Sequence, residues 1–190
     1  MPNPVQQLDA ALSSDEIFEI VSLLNHIWPK PDSTVAALVR AFPETQRYRR
    51  VSAPEARYPA MRHLIREEER LIAHALTFER TILSEGEEVR VMALSGVCVM
   101  PSHRGQGLGR YVARDALARV DKGEFTVALF QTGVPAFYRA LGAKVIRNRF
   151  CDSRNRIAAD ANPWHDEWIM IYPGDHQWPR GVVDLNGPGY

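Results

Sequence analysis

Between an apolar run, Val89 to Met100, and a segment of helical periodicity lies Arg104-Gly105-Gln106-Gly107-Leu108-Gly109-Arg110. Alternating glycines let a backbone turn sharply and approach a ligand closely. The helix that follows runs to about Val120, with Ala113, Ala116, Leu117 and Val120 on one face. Unpaired amides at such a helix start, the positive end of its dipole and the side chains of Arg104 and Arg110 converge on one spot, a cradle suited to pyrophosphate. A plain glycine-rich turn between strand and helix is the other reading. Two common nucleotide motifs are excluded, because no Gly-Lys-Ser/Thr follows and a Gly-x-Gly-x-x-Gly pattern counted from Gly105 ends on Arg110.

What precedes the loop narrows the fold further. Ser13-x-x-Glu16 reads as a capping box for a helix carrying Ile17, Ile20, Val21, Leu24 and Trp28 until Pro29. A second helix is expected from Asp32 or Ser33, burying Val35, Leu38, Val39 and Phe42 and stopping before Pro43. Glu44 to Pro59, with Arg47, Arg49, Arg50, Arg57, Pro54 and Pro59, reads as a loop. From Met61 the period becomes two. Strands are expected around Arg62 to Arg66 and Leu71 to Leu83, joined by Glu67-Glu68-Glu69, then over Val89 to Met100 with Val89, Val91, Ala93, Val97 and Val99 sharing one face. After the loop and its helix come a buried strand over Phe125 to Phe130, a helix opened by Pro135 and stopped by Gly142, and strands over Ala143 to Phe150 and Trp168 to Tyr172. Pro173 to Tyr190 reads as a tail that orders on contact, so the expected organisation is one domain over 1–172 and a tail over 173–190 packing on it or on a partner.

The chain has 190 residues, 45% of them hydrophobic, which suffices for one core. Twenty-three Lys and Arg balance 23 Asp and Glu, so no net field favours nucleic acid or an anionic membrane. No apolar stretch approaches the roughly 20 residues of a membrane span, and the N-terminus carries no secretory pattern. With only Cys98 and Cys151, a reducing, cytoplasmic setting is expected.

The pattern Arg/Gln-x-x-Gly-x-Gly/Ala, met by Arg104 to Gly109, together with Pro135-Ala136-Phe137-Tyr138-Arg139-Ala140-Leu141-Gly142-Ala143, resembles the GCN5-related N-acetyltransferase (GNAT) superfamily over roughly Ile17 to Tyr172. Ala143 stands where that family commonly has Phe. The resemblance implies an α/β (α+β) fold: a mixed, mostly antiparallel sheet splayed between its fourth and fifth strands and flanked by about four helices. It implies acetyl-CoA as cosubstrate. Main-chain groups of Val97, Cys98 and Val99 then serve the pantetheine arm, and Arg104, Gly105, Gln106, Gly107, Leu108, Gly109 and Arg110 the pyrophosphate. The implied activity is transfer of an acetyl group to a primary amine by direct attack in a ternary complex. A coenzyme A-binding sensor or an enzyme using longer acyl chains are the alternatives. Leu71-Ile72-Ala73-His74-Ala75 with Leu94-Ser95-Gly96-Val97 resembles, more weakly, the aminoglycoside 2'-N-acetyltransferases and the nodulation-type N-acyltransferases; Ser95 stands where the former carry a glutamate.

Tyr138 maps to the family's leaving-group acid, or else is an aromatic packed on the sheet. No carboxylate lies in Met92 to Gly96, so the proton acceptor is expected to be His74 or a water held by Ser95. The other reading of His74 is a buried ring satisfied by backbone, and that of Ser95 a bulge where the sheet opens. Glu79, on the opposite face from His74, reads as a solvated strand residue. Cys98 lacks a charged neighbour that would activate it as a nucleophile. His165-Asp166-Glu167 lacks a spaced fourth ligand, and no metal is expected. Glu67-Glu68-Glu69 is either a solvated turn or part of the acceptor cleft. Trp164, Trp168, Trp178, Asp184 and Tyr190 form either a lid over the acceptor or an anchor for the tail or a homodimer. The expected partner is a small-molecule or peptide amine, of a kind the motifs leave open.

Overall fold

Two tight turns set the register of the central sheet. A computed structural model describes residues 2–52 and 55–190. In it Glu68 and Glu69 (φ 47° and 66°) join β2 (Met61–Glu67) to β3 (Arg70–Ser84), and Glu85 and Gly86 (φ 55° and 85°) join β3 to β4 (Glu87–Val99). Left-handed conformations at both central positions match the right-handed twist of paired strands, which is why such turns close hairpins. A further strand, β1 (Val5–Leu8), pairs antiparallel with β2; its four residues were not anticipated from the pattern.

The remaining strands are β5 (Ala128–Thr132), β6 (Lys144–Ile146), β7 (Phe150–Cys151), β8 (Trp168–Tyr172) and β9 (Val183–Asp184). The main sheet runs β1-β2-β3-β4-β5-β8-β6. Every contact along it is antiparallel except β4 with β5, a parallel pairing confined to Met92 with Ala128 and Ala93 with Leu129. Beyond Ala93 the two strands diverge. This is the expected mixed, splayed sheet.

Helices cover both faces. α1 (Ser14–Ile27) lays Ile20 and Leu23 against Leu64, Leu71 and Cys98, whereas α3 (Leu108–Asp121) lays Val112, Ala113, Ala116 and Leu117 against Ile72, Ala73, Met92 and Leu94. The capping box of α1 is formed: the Glu16 amide donates to Ser13 Oγ at 3.2 Å and the Ser13 amide to the Glu16 carboxylate at 2.8 Å. Ser13→Ala is expected to lower stability by about 1 kcal/mol, readable as a drop in the urea midpoint without a change in slope.

Several local expectations need correction. α2 (Val35–Ser52) does not stop before Pro43. Thr34 caps it, with Oγ1 accepting from the Ala37 amide at 3.2 Å, and the chain stays helical through residues expected to be a loop. An interior proline removes one hydrogen bond, a cost that packing can outweigh, and here Phe42 is buried with the Arg62 guanidinium 5.1 Å from its ring. Ala53 and Pro54 of that expected loop lie outside the described residues. β5 begins at Ala128 rather than Phe125, and Phe150 leaves the path of β6 for β7. The tail contributes β9, which pairs with the end of β3 and with β7.

One irregularity matters most for function. Leu76 pairs with Ser95 but His74 with Cys98, so β4 carries an extra residue around Gly96, whose φ is 59°. A bulge reverses the alternation of side chains beyond it. Met92 and Leu94 face α3, and after the bulge Val97 and Val99 do, while Val89, Val91 and Ala93 face the other way. The single face expected for all five residues is therefore two faces. Glu79 is not solvated either: it is buried, and its carboxylate accepts the Arg57 and Tyr58 amides at 2.9 and 3.2 Å. No helix among the described residues is long and apolar enough to cross a membrane.

Candidate active site

The glycine loop closes around its own backbone. Gly105 and Gly107 have φ of 79° and 81°, and Gly107 is the N-cap of α3 with no side-chain cap. The first amides of a helix have no acceptor one turn earlier and stay available. Buried Leu108 fixes the loop from below, Arg104 Nε donates to the Val99 carbonyl at 3.3 Å, and both Arg104 and Arg110 reach solvent. A Cβ built on Gly105 meets nothing within 4 Å, so this position faces open space. Left-handed glycines, free amides, a dipole end and two arginines are what a pyrophosphate requires.

The loop stands at the end of the β4 segment that β5 has released. Val97, Cys98 and Val99 lie there, past the last β4 residue that pairs with β5. The Cys98 side chain is turned into the α1 core, and burial pushes its thiol up to about 12, the state of an inert structural cysteine.

Tyr138 comes from the other lip. Pro135 opens α4 (Pro135–Arg139), and the short helix seats Tyr138 among aromatics, its ring 4.6 Å from Phe130 and 4.9 Å from Phe137. Burial raises its phenol above the ordinary value, and Cys98 and Asp166 push in the same direction. Tyr138, Ser95, Gly96 and Val97 line one cavity of about 1140 Å³ on the α1–α2 side of the splay.

His74 reaches the same cavity from β3, with both ring nitrogens engaged. Nε2 lies 2.8 Å from Arg62 Nη1, and because a guanidinium only donates, Nε2 accepts. Nδ1 therefore carries the proton and donates it to the Gly96 carbonyl at 2.7 Å. Arg62 in turn donates through Nε to buried Asp9 at 2.7 Å. Burial first, then the Arg62 charge, brings the His74 pKa down to about 3. The ring is neutral, and it clamps the bulge.

Residues 11–146 match a family model described as an acetyltransferase (GNAT) domain. The chain belongs to the GNAT acetyltransferases. Solved structures similar in fold include a GNAT family acetyltransferase of Brucella melitensis in complex with acetyl-CoA, at 16% identity and TM-score 0.57 over 97% of this chain and 96% of that one. A GNAT family N-acetyltransferase (YhbS) of Escherichia coli in complex with CoA matches at 14% and 0.57 over 97% and 91%. An acetyltransferase of Trypanosoma brucei matches at 17% and 0.55 over 76% and 95%. No curated protein matches.

Around this GNAT site the remaining sequence candidates separate. Glu67 is 3.1 Å from His103, close to the glycine loop, and the acidic turn takes no part in the cavity lining. Of the aromatic set, Tyr190 lines the cavity, packed on Phe78 and Trp164, with its carbonyl accepting from Gln131 Nε2 at 3.0 Å. Trp178 instead donates to Asn148, and Asp184 accepts from the Ser153 amide. Sequence reasoning missed Arg62, Asp9 and Gln131. Gln131 Oε1 accepts the His165 and Asp166 amides, so this one side chain ties both the tail and the 165–166 loop to β5.

Proposed function

We propose that this chain transfers an acetyl group from acetyl-CoA to a primary amine by direct attack in a ternary complex. The observation that carries the reading is one cavity lined by Tyr138, Ser95, Gly96 and Val97, at the stretch of β4 that runs on past its pairing with β5 toward the glycine-bounded start of α3. Acetyl-CoA supplies a thioester carbonyl, whose carbon bonds to the amine nitrogen as its C–S bond breaks. Amides of Gly105 to Arg110, with Arg104 and Arg110, hold the pyrophosphate. Main-chain groups of Val97, Cys98 and Val99 pair with the pantetheine amides as an added strand would. The Tyr138 hydroxyl donates to the departing sulfur and stabilises its negative charge.

An ammonium must lose a proton before it attacks. In this reading the proton leaves through a water held by Ser95 at the bulge, because the one lone pair of His74 is already occupied by Arg62. His74 is then a positioning residue that fixes the Gly96 carbonyl. In this reading residues 1–172 form the catalytic domain and 173–190 a tail, whose packing on that domain is supported by the pairing of β9 with β3 and β7. Free Cys98 and Cys151 support a reducing, cytoplasmic setting.

Calorimetric titration with acetyl-CoA, run beside a free-thiol assay over a panel of amines, tests the proposal. Saturable binding with amine-dependent thiol release is expected. Binding without release for every amine turns the site into a coenzyme A sensor, and absence of binding removes the reading altogether.

A further inference from the structure

Lysine is scarce in this chain, three residues against 20 arginines, and one of the three stands at the candidate site. Lys122 closes the C-terminal end of α3 and Lys144 lies on β6; neither borders the cavity. Lys30 does. Of the chain's lysines it is therefore the one whose primary amine shares a cavity with Tyr138, Ser95 and Gly96.

The main chain of Lys30 is held on both sides. Its amide donates to Asn25 Oδ1 at 3.1 Å, and its carbonyl accepts from the Ser33 amide at 3.0 Å, closing a turn with Pro31 at the position proline favours. Asn25 adjoins Leu24, whose Cδ2 lies 3.4 Å from where a Cβ on Gly96 would stand. Two contacts thus tie Lys30 to the bulge. The side chain itself is exposed and, among the described residues, paired with no carboxylate. A four-carbon stem on a fixed backbone lets such an ammonium swing from the mouth into the cavity.

We infer that Lys30 is a self-acetylation site, modified in cis by acetyl-CoA bound to the same chain. The inference rests on the acetyltransferase reading of this cavity. The Lys30 ammonium gives one proton to the water at Ser95, and its nitrogen then bonds to the thioester carbonyl carbon as the C–S bond breaks. The nitrogen's second proton goes with the thiolate, so the products are an acetamide, the coenzyme A thiol and one released proton. The modification removes the positive charge of Lys30 at the cavity mouth.

Incubation of the full chain with isotopically labelled acetyl-CoA, followed by mass spectrometry of its peptides, tests this. Lys30 is expected to gain the label about tenfold faster or more than Lys122 and Lys144, because an amine held beside the thioester reacts as if highly concentrated. The rate should saturate with acetyl-CoA, fall when CoA competes, and stay the same per chain as protein is diluted. Lys30→Arg should lose the fast label. Equal labelling of the three lysines, labelling that neither saturates nor yields to CoA, or a rate per chain that rises with protein concentration overturns the inference. Amine-dependent thiol release with Lys30 unlabelled sinks the self-acetylation alone. Absence of both sinks the transferase reading with it, so the two failures are told apart.

Discussion

Replacing Tyr138 by Phe lowers the single-turnover rate of amine-dependent thiol release by roughly 10²-fold or more, the usual weight of a positioned proton donor. Acetyl-CoA affinity stays within about twofold, because the change removes an interaction made as the sulfur departs and not on binding. The ring keeps its neighbours Phe130 and Phe137, and Phe fills the same volume, so the fold survives the substitution. Burial holds the phenol above its ordinary value, and it stays protonated from about pH 6 to 10. The wild-type rate should therefore show no alkaline limb from this group. A donor far weaker in acidity than a thiol does not surrender its proton fully; it stabilises the thiolate through a hydrogen bond in a water-poor site. Unchanged turnover in Tyr138→Phe would return Tyr138 to the core as a packing residue.

The parts of this site that a reader of the sequence can find are those whose physics is local. Gly105 and Gly107 adopt left-handed conformations that other residues resist, and the helix amides beside them follow from the loop. Tyr138 is bracketed by a proline that starts its helix and a glycine, φ 98°, just past its end. The state of His74 is not local. It is set by Arg62 on β2, Asp9 ahead of α1 and the Gly96 carbonyl on a bulge, three partners with no common spacing. Parity along β3 placed Glu79 on the face opposite His74 and was silent on what covers it. The amides of Arg57 and Tyr58 arrive there from an irregular segment.

The fold divides in the same way. Period-two runs and turn residues gave β2, β3 and β4 nearly to the residue, whereas β1 and β9 are four and two residues long and exist because a neighbouring strand offers an unpaired edge. Pro43 misled because helix-breaking is a local tendency of about 3 kcal/mol or more, and buried Phe42 binds the helix to the sheet across it. The bulge at Gly96 did the reverse. A single inserted residue moved Val97 and Val99 to the α3 face.

Stability should fall as pH is lowered from about 6.5, before the carboxylates titrate. An unfolded His74 takes up a proton near 6.5, while the folded one resists protonation to about 3. Between those values the unfolded chain binds more protons, so acid favours unfolding, by up to about 1.4 kcal/mol per pH unit from this one ring. Glu16, Asp115 and Asp184, all held below ordinary values of 4.5, 3.8 and 3.8, add their losses only at lower pH. The window from about 4.5 to 6.5 therefore belongs chiefly to histidine, and urea midpoints measured across it should slope downward toward acid. Gln in place of His74 offers an acceptor to Arg62 and a donor to the Gly96 carbonyl without titrating. His74→Gln should flatten that slope and keep thiol release within about tenfold of wild type, whereas loss of a general base costs roughly 10²–10⁴-fold. His74→Ala, which frees the bulge, should lose far more activity than His74→Gln. A flat wild-type midpoint would contradict the buried neutral ring, and equal collapse of both variants would restore His74 as the base, against a proton affinity that leaves it too weak to take a proton from an ammonium at neutral pH.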